Sequence, residues 1–281
     1  MIQIRDLRKN YGSFRLDVSM NIPAGRVTGL VGRNGAGKST TIKAILGLIR
    51  PDNGEVNVLG KNAGKLTAQD REMIGAAFSD SGFSNYLKLP DVIRVLKYSY
   101  RNFDEQEFRK ACEKAELPMD KTLKEFSTGM KVRLRVLIAC SHGAKLLILD
   151  EPTAGLDVFA RSEVLDMLRE YLAKDSERTL LISSHISSDL EGLCDDIYMI
   201  HDGKVILHED TDVILGEYAV LRVSDQAYEK IDKQYILQTK KESFGYSCLT
   251  NQKQYYAENY PEIIIESGSI DDLILMTAKE A

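Results

Sequence analysis

Eight consecutive residues carry the strongest chemical signal in the chain: Gly32-Arg33-Asn34-Gly35-Ala36-Gly37-Lys38-Ser39. The pattern is G-x-x-x-x-G-K-[ST], a phosphate loop. Its glycines let the backbone wrap tightly enough for successive N–H groups to converge on one anion. A helix starting there adds the positive end of its dipole. On this reading Gly32, Asn34, Gly35, Ala36, Gly37, Lys38, Ser39 and Thr40 form the phosphate cradle of an ATP site. Lys38 supplies a mobile cation for the β- and γ-phosphates. Ser39 offers a hydroxyl to Mg²⁺, a hard cation that prefers oxygen. The second signal is Leu146-Leu147-Ile148-Leu149-Asp150-Glu151. A buried strand would deliver both acids at its C-terminal end, where α/β sheets take their ligands. Asp150 is then the Mg²⁺ carboxylate, direct or through water, and Glu151 the general base that polarises the attacking water. An acid pair after an apolar run is weak alone. Joined to the phosphate loop it completes one ATP-hydrolysing site.

Those residues need a scaffold, and the surrounding pattern supplies one. Val27-Thr28-Gly29-Leu30-Val31 is a short apolar run entering the loop, as a buried strand would. After the loop, Ile42, Ile45, Leu46 and Ile49 fall at i, i+3, i+4 and i+7, predicting a helix that stops before Pro51. The segment Ile2 to Ile22 alternates in short runs around Tyr11-Gly12, which predicts antiparallel strands. Between about 83 and 142 the period becomes helical: Val92, Ile93 and Leu96, then Phe108, Ala111 and Ala115, with Asp104 and Glu107 as an N-capping pair. Phe126 to Ala139 opens on Ser-Thr-Gly and continues as a basic amphipathic helix. The parallel-sheet texture then returns, with a helix from about Arg161 to Leu172, a strand at Leu180-Leu181-Ile182, and a hairpin turning at His201-Asp202-Gly203. Beyond about Gly216 short β-like runs lead to a terminal helix that Ser269 and Asp272 would cap. The fold class is therefore α/β: a P-loop NTPase core with an antiparallel β subdomain, an inserted helical subdomain at 83–142 and a small C-terminal α/β appendage. The ATPase unit spans 1–215 and the appendage 216–281.

Composition narrows the function classes. The chain has 281 residues, 43% hydrophobic and 28% charged, with net charge −5. That balance argues against a nucleic-acid binder, which usually shows a basic face. Cys112, Cys140, Cys194 and Cys248 form no C-x-x-C pair, and none stands at zinc spacing from a histidine, so buried neutral thiols are expected. The N-terminal residues Met1-Ile2-Gln3-Ile4-Arg5-Asp6 contain no apolar leader, and no run approaches the length of a spanning helix. A role at a membrane would need separate membrane subunits and a peripheral, cytoplasmic placement.

A family resemblance now attaches to specific residues. Phe126-Ser127-Thr128-Gly129-Met130, followed by Lys131 and Arg133 and then by Asp150-Glu151-Pro152-Thr153, resembles the signature of ABC-type ATPases. The family pentapeptide is Leu-Ser-Gly-Gly-Gln, of which this chain keeps the serine and the second glycine. Ala154-Gly155-Leu156-Asp157 resembles the family's D-loop, and Ser183-Ser184-His185 its switch histidine. Tyr11 stands where the family places an aromatic that stacks on adenine. Order and spacing agree from about residue 1 to 210. The resemblance implies a head-to-tail pair of ATPase subunits, a homodimer or a heterodimer, with each ATP held between one phosphate loop and the other signature. Ser127 and the N–H of Gly129 then serve the partner's γ-phosphate, as a helix N-terminus can. His185 senses the γ-phosphate, and Asp157 acts across the interface. Ser79 and Asp80 are the two candidates for the place where the family carries a glutamine. The implied function is ATP-driven transport through integral membrane subunits. The appended tail resembles that of ABC-2-type efflux ATPases, which favours export. The rival is a soluble ABC ATPase acting on a ribosome or a nucleic-acid machine.

Overall fold

The computed structural model describes residues 1–78 and 83–277. Ser79 and Asp80 lie outside them. Strands β1 (Ile2–Tyr11) and β2 (Phe14–Ile22) form an antiparallel hairpin. Strand β3 (Val27–Val31) runs into the glycine-rich loop and helix α1 (Lys38–Ile45). Strands β4 (Asn53–Val58) and β5 (Lys61–Asn62) extend the hairpin wing, and α2 (Ala68–Arg71) precedes β6 (Ile74–Ala77). Helices α3 (Leu89–Ser99), α4 (Glu105–Lys114) and α5 (Thr128–Cys140) follow. The chain then alternates as β7 (Leu146–Asp150), α6 (Val158–Leu172), β8 (Thr179–Ser184) and α7 (Ser187–Glu191), before the hairpin β9 (Asp196–His201) and β10 (Lys204–Asp210).

These ten strands make one sheet in the order β5-β4-β1-β2-β10-β9-β3-β8-β7-β6. Strands β9, β3, β8, β7 and β6 are mutually parallel neighbours. The antiparallel wing joins them through a single parallel pairing, Lys204 with Asp17. The expected antiparallel β subdomain is thus continuous with the parallel core. The hairpin turns at Asp202 and Gly203, both at positive φ, as a two-residue turn of this hand requires.

Strand β7 shows why a continuous apolar run is needed. Leu146 and Ile148 enter one core with Ile42 and Ile45 of α1. Leu147 and Leu149 enter the other with Val132 and Val136 of α5 and Val164 and Leu168 of α6. All four strand residues are fully buried, and each contributes about 1.5–3 kcal/mol by area removed from water. Helices α3, α4 and the near face of α5 enclose a third core of Leu89, Val92, Leu96, Phe108 and Cys112. The four cysteines are free, and burial raises the thiol pKa of Cys112 and Cys140 to about 12, so both stay neutral.

Two helix boundaries differ from the sequence reading. Helix α1 ends at Ile45, so Ile49 lies beyond it. Gly47 stops it, at φ 67, where an added Cβ would stand 2.5 Å from the Ala63 carbonyl oxygen. Helix α6 starts at Val158 rather than near Arg161, because the Asp157 carboxylate caps it by accepting the Ala160 N–H at 3.0 Å. Asp104 caps α4 through the Glu107 N–H, but the Glu107 side chain pairs with Lys174 instead of closing a box.

The C-terminal part begins with α8 (Thr211–Glu217). Strand β11 (Ala219–Val223), helix α9 (Asp225–Lys230), strands β12 (Ile236–Glu242) and β13 (Gly245–Thr250), helix α10 (Lys253–Asn259), strand β14 (Ile264–Ser267) and helix α11 (Ile270–Thr277) complete it. Its strands form a separate antiparallel sheet, β12-β13-β11-β14. One face covers a small core around Tyr256, Leu221 and Val223. On the other, Val220 and Leu249 join Ile270 and Leu273 in the same core as α5 and α6. Ser269 and Asp272 form the expected reciprocal cap of α11.

Candidate functional site

The loop from Gly32 to Gly37 closes on itself through the Ala36 N–H, which donates to the Arg33 carbonyl at 3.1 Å. Gly37 is the N-cap of α1 at φ 117, and an added Cβ would meet Leu16 Cδ1 at 2.7 Å. Only glycine lets the chain turn into the helix this close to β2. No side chain caps α1 and no acid stands in its first turn, so its N-terminal N–H groups and dipole remain available to an anion. Ser39 is exposed and Thr40 half-buried at this helix start.

Lys38 is buried, at 5% exposure. Its ammonium donates to the Gly32 carbonyl at 2.7 Å and to that of Arg33 at 3.4 Å. It also stands 3.1 Å from Glu151 Oε1, an ion contact not aligned as a hydrogen bond, and that buried oxygen has no hydrogen-bond donor among the described residues. The second Glu151 oxygen lies 2.5 Å from His185 Nδ1 and accepts the His185 backbone N–H at 3.2 Å. The Glu151 backbone is left-handed, at φ 52. Such a conformation costs a non-glycine residue energy and turns the side chain away from the strand direction. Asp150 is buried and accepts the Ser183 hydroxyl at 2.6 Å.

The structure therefore gathers the phosphate loop, Lys38, Ser39, Asp150, Glu151 and His185 at the C-terminal ends of β3, β7 and β8. A second group forms elsewhere. Ser127 caps α5 by accepting the Met130 N–H at 3.2 Å, and α5 carries no acid in its first turn. A Cβ on Gly129 would stand 3.8 Å from the Ala160 Cβ, so the helix starts at Ser127 and Asp157 are neighbours. Ser127 and Asp157 are both exposed. Among the described residues no hydrogen bond or ion pair joins this group to the phosphate loop of its own chain. Tyr11 ends β1 with its ring 48% exposed, and the Lys9 ammonium is 5.7 Å from the ring centroid.

Two contributors were missed in the sequence. Ser183 accepts the Glu151 N–H at 3.0 Å while donating to Asp150, so one hydroxyl sets both acids. Its place opposite Asp150 follows from the β7–β8 register, to which sequence spacing gives no access. Gly203, at the β9–β10 turn, donates its N–H to the Ala36 carbonyl at 2.9 Å and backs the phosphate loop from behind. The hairpin signal located that turn but not its contact.

Comparison with known proteins places this geometry in context. The ABC transporter family pattern matches residues 16–154. The lantibiotic transport ATP-binding protein SrtF of Streptococcus pyogenes is 36% identical over 216 residues, covering 75% of this chain and 92% of that protein. The chain belongs to the ABC transporter family. The bacitracin transport ATP-binding protein BcrA of Bacillus licheniformis is 36% identical over 210 residues, with 73% of this chain and 68% of BcrA covered. A solved ATP-binding subunit of an ABC transporter superposes with TM-score 0.67 at 28% identity, covering 76% of this chain and 91% of that one. The protein is thus an ATP-binding and ATP-hydrolysing ABC transporter subunit, with the P-loop α/β fold. Among its described residues no helix is long and apolar enough to cross a membrane.

Proposed function

We propose that this ABC subunit couples ATP hydrolysis to export through separate integral membrane subunits, bound peripherally on the inner face of the cell membrane. The observation that carries the reading is the meeting of Lys38, Glu151 and His185 beside the phosphate loop. The relatives named above are transport subunits, which favours a membrane complex over a ribosomal or nucleic-acid machine. Their names give lantibiotic and bacitracin transport, which supports an efflux role. Selection of cargo falls to the membrane subunits.

The roles divide by geometry. Loop N–H groups, Gly32 through Gly37, Thr40 at the helix start and the Lys38 ammonium bind phosphate. Tyr11 offers its open ring to adenine. Glu151 is the general base, and His185 holds it and reads the γ-phosphate. The donors fit Mg²⁺: the exposed Ser39 hydroxyl and the Asp150 carboxylate, oriented by Ser183, would hold it. When bound, Mg²⁺ neutralises charge on the β- and γ-phosphates. With no nucleotide, the Glu151 carboxylate stands between the Lys38 ammonium and the His185 ring. ATP takes over the Lys38 ammonium and the His185 ring, which frees the carboxylate for water. Ser127, Gly129 and Asp157 serve the nucleotide of a second ATPase subunit, in a homodimer or a heterodimer. Residues 1–215 form the ATPase unit, with 83–142 as its helical subdomain, and 216–281 form the appendage.

Affinity capture of the tagged chain from detergent-solubilised membranes of its own cells tests the reading. A stable complex whose ATP turnover rises with a transported peptide supports it. A chain that hydrolyses ATP but co-purifies with ribosomes or nucleic acid, and with no membrane protein, overturns it.

A further inference from the structure

Helix α7 begins two residues after His185, and three separate elements hold it. From α6, the Arg161 guanidinium donates to Asp189 Oδ1 through Nε at 3.1 Å and Nη2 at 2.6 Å, and Nη2 reaches the Ser188 hydroxyl at 3.1 Å. Asp189 is 2% exposed, and among the described residues its side chain is bonded to Arg161. Arg161 lies one turn beyond Asp157, so α7 is tied to the helix that starts at the proposed subunit interface. From the preceding turn, the Ser184 hydroxyl accepts the Ile186 N–H at 2.9 Å. From the C-terminal unit, the Ile270 N–H donates to Glu191 Oε1 at 3.0 Å.

The last contact is specific in kind. Ile270 is the first residue of α11, whose leading N–H groups need acceptors. Ser269 and Asp272 satisfy each other's N–H, and the Glu191 carboxylate takes that of Ile270, at the positive end of the helix dipole. Below it, Ile270 and Leu273 are fully buried in the core that holds Leu190. The C-terminal unit therefore grips the element that follows the switch histidine, by one charged hydrogen bond and a shared apolar core.

We propose that Glu191 is a positioning residue through which the C-terminal unit, by way of α11 and α7, sets the place of His185 and so regulates hydrolysis. The proposal rests on the ATPase reading above. The phosphate loop and α1 pack in the opposite core, so nucleotide binding stays outside this control. A partner that pulled α11 away would slow turnover without releasing ATP.

The test uses the full chain. Glu191→Ala should lower kcat roughly tenfold, as a misplacement well below 1 Å far from the chemistry can. The Kd for ADP, which lacks the γ-phosphate that His185 reads, should stay unchanged. Glu191→Gln, whose amide oxygen still accepts the Ile270 N–H, should restore most of the rate. Leu273→Ala attacks the grip from the other side and should reproduce the same split if Glu191→Ala folds poorly. Hydrogen exchange at the amides of 184–191 should rise in both alanine variants while the amides of α1 stay protected. Parent-like kcat in a folded Glu191→Ala chain overturns the proposal. So does a fall in kcat and ADP affinity together, or exchange that rises across the whole chain, since each marks a merely structural role. A parent without ATPase activity would instead count against the hydrolytic reading, and the exchange pattern would still decide the coupling of α11 to α7.

Discussion

At the residue scale the proposed roles separate ground-state binding from the chemical step. As the proposed phosphate cation, Lys38 would meet ATP as soon as it binds, so Lys38→Ala should weaken nucleotide affinity and turnover together. As the proposed general base, Glu151 would act on water, so Glu151→Gln should keep ATP bound and lower turnover by roughly 10²-fold or more. Equilibrium binding and steady-state hydrolysis of the purified variants check this split. Turnover by Glu151→Gln at the parent rate would remove Glu151 as the base. Ser183 adds a prediction that the structure supplies. Its hydroxyl orients Asp150 and the Glu151 backbone at once, in a fully buried place. Ser183→Ala should cost about 1–3 kcal/mol of stability, the price of leaving a buried acceptor unmatched. It should also lower kcat more than it raises KM. Denaturant midpoints and saturation kinetics measure the two effects, and a parent-like kcat would show that Asp150 needs no such orientation.

At the scale of elements, the joint between the helical subdomain and the sheet contains a buried histidine. His142, in the connection from α5 to β7, stacks on Tyr100 just past α3 with centroids 4.0 Å apart. Its Nε2 lies 3.3 Å from the Ile74 carbonyl oxygen, and its buried Nδ1 has no hydrogen-bond partner among the described residues. Burial holds its pKa below the ordinary 6.5, against a smaller upward pull from the Ile74 and Ile138 carbonyls and from Glu72. The sign follows. Between the lowered value and about 6.5 the unfolded chain binds a proton that the folded chain refuses, so stability rises with pH there. It is lost as pH falls below about 6.5, at no more than about 1.4 kcal/mol per pH unit for one proton. His142→Gln should flatten the dependence of the denaturant midpoint on pH between about 7.5 and 5.5. An unchanged slope would mean that other groups carry it. Nearby, the Arg135 guanidinium of α5 donates to the Phe78 carbonyl at 2.9 Å, so the signature helix also holds the end of β6.

At the scale of the molecule, the two groups of proposed site residues stand apart. The phosphate loop has Lys38, Glu151 and His185 around it, whereas Ser127, Gly129 and Asp157 form a separate exposed group. Beside that group Val158 and Phe159 are 73% and 85% exposed, an apolar pair at the start of α6. A second subunit that brought its own nucleotide would satisfy both the helix starts and this pair. Without nucleotide the facing phosphate-binding groups would lack their anion, and the pairing should be weak. The Glu151→Gln chain with Mg²⁺ and ATP should therefore accumulate as a dimer by light scattering, and the ADP complex should be largely monomeric. Ser127→Arg should abolish the dimer while ATP still binds. A Glu151→Gln chain that stays monomeric at saturating ATP would assign the second half-site to a different subunit or to the membrane complex.

The sequence by itself determined the local chemistry. A phosphate loop needs glycines and a lysine at set spacing, a strand covered on both faces needs an unbroken apolar run, and helix caps need Ser or Asp beside their N–H groups. Each requirement acts over a few residues, so each was legible in Gly32 to Ser39, in Leu146 to Glu151, and at Ser127 and Ser269. Only the tertiary structure decided what depends on elements far apart in the chain. Strand register placed Ser183 against Asp150. A hairpin packed Gly203 onto the loop at Ala36. Close approach of Gly47 to Ala63 ended α1 a turn early, although the apolar period ran on to Ile49. The C-terminal unit, which read as an appendage, shares a core with α5 and α6 and reaches the switch region through Glu191. Periodicity shows that a face is buried, but not against which element. Sheet order and side-chain packing settle that, because they are properties of the whole assembled chain.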